Sequence, residues 1–368
     1  MDAGWQSINY KGASNTVNGF NGNGSSTSQL NIRGSEDLGG GMKAEFRVET
    51  DWSTVSNLAN QGVAASINST SSANSINGAN STFGNGEIRV GVAGGFGRVD
   101  FGAVNYNTLG TYVTGQPFGT AIGSGFRTMY INDAQATSQV RAENAIKYLS
   151  PSFSGLTVSL YKSNKQDKAQ TVAASGTSTT GLISQPNAFG GLGAYDQVGT
   201  QELGANYANG PLAASFSQIK QDFRGVSGAG SSLAAAGSTE STVNTFGANY
   251  AIGDAKLFGL YQTNKNTGTT NNKVMSISAT YTMGAVVLMA QVGSLENAAG
   301  VKSNLTGLGA DYNLSKRTAI YLRNESINDK ANAMNAAVNP AAIVGSTAAQ
   351  TGDNAKFGRT AIGIRHAF

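Results

Sequence analysis

Lys43, Glu45, Arg47 and Glu49 stand at alternate positions, so an extended chain carries four charges of both signs on one face. Arg33, Arg89, Arg141 and Lys147, with Glu87 and Glu143, take the same polar face of their own stretches. Fixed charges in this pattern break no bonds. Around a confined column of water they create a field that sorts ions by sign. Bond-making chemistry lacks its parts, because the chain has one histidine, His366, and no cysteine. A Ser-His dyad has no histidine in a suitable place, and metal sites built on His or Cys have no donors. The glycine-rich GNG at 22–24 and SGAGS at 227–231 are not in the strand-to-helix setting that cradles phosphate. No enzyme activity, cofactor or metal is expected.

The elements that position such charges read as strands. In Met42 to Glu49 the residues Met42, Ala44, Phe46 and Val48 share one face and the four charges the other. A soluble sandwich would bury the apolar face in a core and look much the same. Composition narrows the choice. Among 368 residues there are 49 glycines and 5 prolines, and only 12% are charged, which disfavours disorder. The longest apolar stretch, Ala285 to Ala290, is far below the roughly 18 to 20 residues of a membrane helix. The excess of 25 Lys and Arg over 21 Asp and Glu is mild and never clusters with aromatics, so nucleic acid is not a partner.

Turn residues alternate with long polar stretches. Seven tight turns centre on 35–41, 94–98, 150–155, 208–211, 251–254, 281–285 and 313–317. Between them lie loops at 11–26, 52–85, 105–139, 164–199, 223–239, 265–272, 294–303 and 328–356. Seven turns join fourteen strands, and two terminal strands that close on one another bring the expected total to sixteen. That predicts an all-β protein: one 16-stranded antiparallel transmembrane β-barrel over 1–368, wide enough for water. The ending TAIGIRHAF fits, with Ile362, Ile364, His366 and Phe368 on one face of a closing strand. Phe153, Tyr207, Tyr250, Tyr281, Tyr312 and Phe368 recur near strand ends, as an interface girdle or as plain β-propensity. Ala255 to Thr263 has apolar residues on both faces, so its lipid side is open; a neighbouring subunit or a packed loop would account for it. A non-channel surface β-protein, adhesin-like, is the alternative, although no fixed-period repeat supports a solenoid.

Several segments make a resemblance specific. IRGSEDLGGGMK at 32–43, FGRVDFG at 96–102, PFG at 117–119, VRAENAIKYLSPSFSGL at 140–156, YNLSKRT at 312–318 and IGIRHAF at 362–368 resemble, in order, the general porins of beta-proteobacteria. The resemblance implies a homotrimer in the Gram-negative outer membrane, among lipid and lipopolysaccharide, that passes small hydrophilic solutes and ions. It implies an inward-folded third loop, 105–139, with Pro117, Phe118 and Gly119 at its turn. Without the other matches that triplet reads as an ordinary bend. Arg127 and Asp133 are the loop's charges, with Tyr106, Tyr112 and Tyr130 as polar aromatics. Arg33, Arg47, Arg89, Arg141, Lys147 and Glu143 are then pore-lining candidates. Arg141 and Asn144 match an RxxN pattern; the alternative for Arg141 is a solvated strand end paired with Glu143. Gln29 and Ala103 replace arginines frequent in the family, so the expected anion preference is mild. Phe368 is the signal for the outer-membrane assembly machinery. The N-terminus shows no signal peptide, and relatives carry more residues before the DAG at 2–4, so a short first strand with weak closure is expected.

Overall fold

Gly210, Gly253 and Gly284 take φ of 54, 57 and 58 at the first position of three two-residue turns. A type II′ hairpin turn demands that conformation there, and glycine adopts it without a Cβ penalty. Such turns fold neighbouring stretches back on each other as antiparallel strands. The computed structural model describes residues 1–10, 16–52, 54–55, 83–126, 140–163, 195–225, 238–266, 272–331 and 356–368. The order is β1 (Asp2–Tyr10), β2 (Val17–Asn21), β3 (Ser28–Gly39), β4 (Met42–Trp52), β5 (Ile88–Gly94), β6 (Gly97–Asn105), α1 (Asn107–Thr114), β7 (Arg141–Leu149), β8 (Leu156–Ser163) and β9 (Tyr195–Asn209). There follow β10 (Leu212–Gly225), β11 (Ser238–Ile252), β12 (Ala255–Asn266), β13 (Asn272–Met283), β14 (Val286–Glu296), β15 (Lys302–Asn313), β16 (Thr318–Asn328) and β17 (Lys356–His366).

From β3 to β17 each strand pairs antiparallel with its neighbours in sequence, and β1 pairs with both β17 and β2. The described residues thus hold seventeen strands in one sheet rather than sixteen. The additional one is the five-residue β2, which occupies part of the stretch 11–26 expected as loop. Its Val17–Asn21 lies against Gly4–Ile8, a hairpin arm that short polar residues had concealed. Strands also outrun the expected loop bounds: β9 begins at Tyr195 inside 164–199, and β10 reaches Gly225 inside 223–239. The pairing of the first and last strands is more extensive than expected, because β1 pairs with β17 along its whole length, from Asp2↔Arg365 to Tyr10↔Phe357.

The faces are those of a barrel in lipid. Leu160, Leu203, Phe246, Ile277, Val292, Leu308, Leu322 and Ile362 are exposed on the outside, while Tyr161, Glu202, Thr245, Gln291, Arg323 and Ala361 beside them are buried on the inside. A soluble fold would invert this. Phe153, Tyr250, Tyr281, Tyr312 and Phe368 are exposed near the short turns. One part of the interior is apolar: Ile8, Leu260, Val274, Leu295, Leu305, Ile327 and Phe357 form a buried cluster with Tyr112 and Phe126. That resolves the two-faced strand β12. Leu257 and Tyr261 face outward, and Leu260 packs inward against a residue of the loop between β6 and β7.

Candidate functional site

Three arginines form a row across the inner wall. Arg33 on β3 is directly opposite Arg47 on β4, and Arg47 directly opposite Arg89 on β5. Like charges at cross-strand positions repel, and acids between them offset that. Arg47 Nη1 donates to Glu87 Oε2 at 2.6 Å, its Nη2 pairs with Glu49, and its Nε and Nη2 donate to Asn31 Oδ1 at 2.9 and 2.7 Å. Arg89 Nη1 donates to Asp100 Oδ1 at 2.7 Å and lies 3.9 Å from Glu45. Arg33 is exposed and has no ion pair among the described residues. Among the described residues, the row therefore ends in a guanidinium without an ion pair.

Asp100 on β6, fully buried, also accepts from Arg98 Nε at 2.8 Å, and Lys147 on β7 is its cross-strand neighbour. Lys147 Nζ donates to the carbonyl of Asn105 at 2.8 Å. Strand parity would carry the inward face from Lys147 to Glu143 and Arg141. The structure breaks that parity. Asn144 takes φ 51, the register shifts opposite Gly102 and Val104, and Ala142 packs against the inward cluster of Val104, Tyr106, Ala145 and Tyr161. A bulge re-aims the residues that follow it. Arg141 then stands at the end of the strand with Nη2 4.0 Å from Asp51 Oδ2. The side chain of Glu143 lies outside the described residues, as do Arg127, Tyr130 and Asp133.

Opposite the row, the segment Tyr106 to Phe126 crosses the interior. Helix α1 has no side-chain cap of its own at Tyr106. The wall supplies one: Glu202 on β9 accepts from the backbone N–H of Asn107 and Thr108 at 2.6 and 2.7 Å and from Thr108 Oγ1 at 2.7 Å. A carboxylate at this end satisfies donors the helix leaves free and complements its dipole. Thr108 and Thr111 meet Ser217 and Ser215 on β10, each pair of Oγ atoms 2.6 Å apart, and Asn249 Nδ2 on β11 donates to the carbonyl of Thr114 at 2.8 Å. Gly247 makes room for this contact, since a Cβ there would meet Gly115 N at 2.9 Å and press on the carbonyl oxygen of Thr111.

Past the helix, Pro117 to Gly119 form a turn closed by Gln116, whose Oε1 accepts from Phe118 N at 2.7 Å and whose Nε2 donates to the carbonyl of Gly119. Gly119 has φ 61 there. Phe118 is buried, with the Arg323 guanidinium 6.0 Å from its ring centre. Glu325 Oε2 on β16 accepts from Gly123 N and Gly125 N, both at 3.0 Å, and Gln291 Nε2 on β14 donates to the carbonyl of Ser124 at 3.1 Å. None of these hydrogen bonds reaches β3, β4 or β5. The segment is held on one side of the interior and the arginine row lines the other. Sequence reading singled out neither Glu202 nor Glu325. Each is an inward acid on a strand, and only the fold brings it to a loop 95 and 202 residues away.

A family model described as Gram-negative porin matches residues 1–332. Outer membrane porin protein 32 of Delftia acidovorans is 30% identical over 325 residues, covering 85% of this chain and 78% of that protein. The solved anion-selective porin from Comamonas acidovorans is 25% identical and superposes with a TM-score of 0.73 over 100% of this chain and 97% of its own. At 12% identity, Salmonella typhi OmpF in complex with daunomycin superposes with a TM-score of 0.62, covering 100% and 97% of the two chains, a likeness of fold alone.

Proposed function

The chain belongs to the Gram-negative porin family, and from that premise we propose that it forms a water-filled channel for small hydrophilic solutes and ions, with a mild preference for anions. One observation carries the sign of the preference: the row Arg33, Arg47 and Arg89 faces a loop segment, Tyr106 to Phe126, that has no charged residue. A neutral loop adds no acidic counter-wall, so an ion passing between the two meets the charges of the wall, where the row together with Arg98, Arg141 and Lys147 outnumbers Glu45, Glu49, Asp51, Glu87 and Asp100 by one. The acids interleaved with the arginines keep the preference mild. The relative from Comamonas acidovorans, described as anion-selective, supports the sign.

Passive diffusion rather than catalysis is the activity, with Arg33, Arg47, Arg89, Arg141 and Lys147 lining the path. The assembly is a homotrimer in the outer membrane among lipopolysaccharide and lipid. Phe368, exposed behind His366, is the handle for assembly factors.

Purified protein in a planar bilayer across a KCl gradient tests this. Conductance steps in groups of three, with a reversal potential on the chloride side that moves toward zero in Arg47→Ala, are the expected result. Heat-modifiable, folded protein that gives no steps would favour the adhesin-like surface protein instead.

A further inference from the structure

Two carboxylates of the wall hold the two ends of a loop segment that has no charge of its own. We propose that Glu202 and Glu325 are positioning residues that set the free cross-section of the channel, acting through the loop rather than through their charge. The proposal rests on the channel reading above.

Glu325 is fully buried. Its two oxygens are divided between tasks: Oε1 lies 3.1 Å from Arg359 Nη2, and Oε2 takes the N–H groups of Gly123 and Gly125. Both glycines have positive φ, 102 and 70. That conformation turns two N–H groups toward a single anionic acceptor, an arrangement side chains with a Cβ disfavour. The wall accommodates the approach at Gly307, where a Cβ would meet the backbone of Gly123 at 2.9 Å. At the other end Glu202 takes three hydrogen bonds from Asn107 and Thr108. Between the clamps, the Tyr112 hydroxyl donates to the carbonyl of Ser124 at 3.2 Å and ties helix to tip.

Bonds to an ionised acceptor are roughly twice as strong as neutral ones. A glutamine in place of either acid keeps the shape but offers a weaker acceptor. Glu325 is also matched by Arg359 and the loop's own N–H dipoles, so its charge is largely spent before it reaches the water column. Its contribution to selectivity is where it holds the loop.

The chain has no cysteine, so Ala121→Cys places one thiol in the segment, at a site 7% exposed. Labelling of this thiol by a charged maleimide in folded, detergent-solubilised protein reads loop position without reference to conductance. Glu325→Gln is expected to speed labelling about tenfold or more, the equilibrium equivalent of losing one charge-assisted hydrogen bond. Glu325→Asp keeps the charge but falls one methylene short, and is expected to speed it as well. Folded Glu325→Gln and Glu325→Asp proteins that label at the parental rate would overturn the proposal.

For Glu202 the readout is rescue. Glu202→Gln is expected to change step size and reversal potential, and a disulfide from Thr111→Cys and Ser215→Cys to restore both, until a reductant opens it. A changed reversal potential that persists in the oxidised, tethered protein would show that the carboxylate acts by charge. Faster labelling of the Glu325 variants in a protein that gives no conductance steps would support the clamp while counting against the channel.

Discussion

Thr111 and Ser215 lie 104 residues apart in the chain and touch through their hydroxyls at 2.6 Å. One belongs to an uncharged helix inside the barrel and the other to the wall strand β10. Together with Thr108 and Ser217 they make a small polar seam one helical turn long, bounded by the carboxylate of Glu202. Short hydroxyl side chains on both partners allow the helix backbone to lie close to the sheet. A leucine on either side would hold it off.

The seam is short enough to be made covalent. Thr111→Cys with Ser215→Cys is expected to form a disulfide on mild oxidation, since two side chains that meet through first-branch atoms have Cβ atoms within bridging range. No native thiol competes. Free-thiol titration and a mobility shift on reduction check it, and conductance is expected to be the same in the oxidised and reduced forms. Two thiols that stay free under oxidant would mean that helix and wall are not apposed.

Gly247 and Gly307 are expected to be intolerant positions on an otherwise tolerant wall. A Cβ at either would meet loop backbone at 2.9 Å, which no side-chain rotation relieves. Gly247→Ala and Gly307→Ala therefore displace the loop by backbone movement and alter single-channel conductance, while the barrel still folds. Gly259→Ala is the control, because its Cβ would meet nothing within 4 Å. Equal conductance in all three variants would contradict the docked loop.

Much of the barrel was legible because its signals are local. Turn glycines such as Gly210, Gly253 and Gly284 punctuate the chain, and Lys43 to Glu49 alternates cleanly. What escaped the sequence is long-range or breaks the period. The bulge at Asn144 changes parity between Lys147 and Arg141 without a glycine to announce it. β2 is a five-residue hairpin arm with one aromatic, Phe20, flanked by Gly19 and two asparagines, and reads as loop. The apolar residues Leu260, Leu305 and Ile327 face inward because a loop covers them, whereas period-two reading assigns apolar residues to lipid. Glu202 and Glu325 look like any inward acid until the loop arrives.

The hierarchy within the basic wall is open to measurement. A unit charge about 10 Å from a passing ion in water is worth roughly 0.4 kcal/mol, or about twofold in relative permeability. Arg33→Ala removes a guanidinium with no ion pair among the described residues, so it is expected to lower the chloride-to-potassium permeability ratio by about that factor. Arg141→Ala, whose nearest acid among the described residues is 4.0 Å away, is expected to do the same. Reversal potentials at fixed KCl gradient give the ratios. A null result for Arg33→Ala would place the narrow part of the path away from β3.

The acids of the wall make the opposite prediction, and it separates field from architecture. Glu87 Oε2 lies 2.6 Å from Arg47 and 3.9 Å from Arg89, and its Oε1 accepts from Asn105 N at 3.0 Å. Glu87→Gln keeps an acceptor for Asn105 and removes a negative charge that two arginines share. Anion preference is expected to rise by about twofold at low salt and to lose most of that gain near 1 M KCl, where the screening length falls to about 3 Å. A purely structural effect of the substitution would change conductance at every salt concentration alike. If the gain in selectivity were independent of ionic strength, the acids of this wall would be acting as struts for the arginines, and the mild preference would have to come from pore shape.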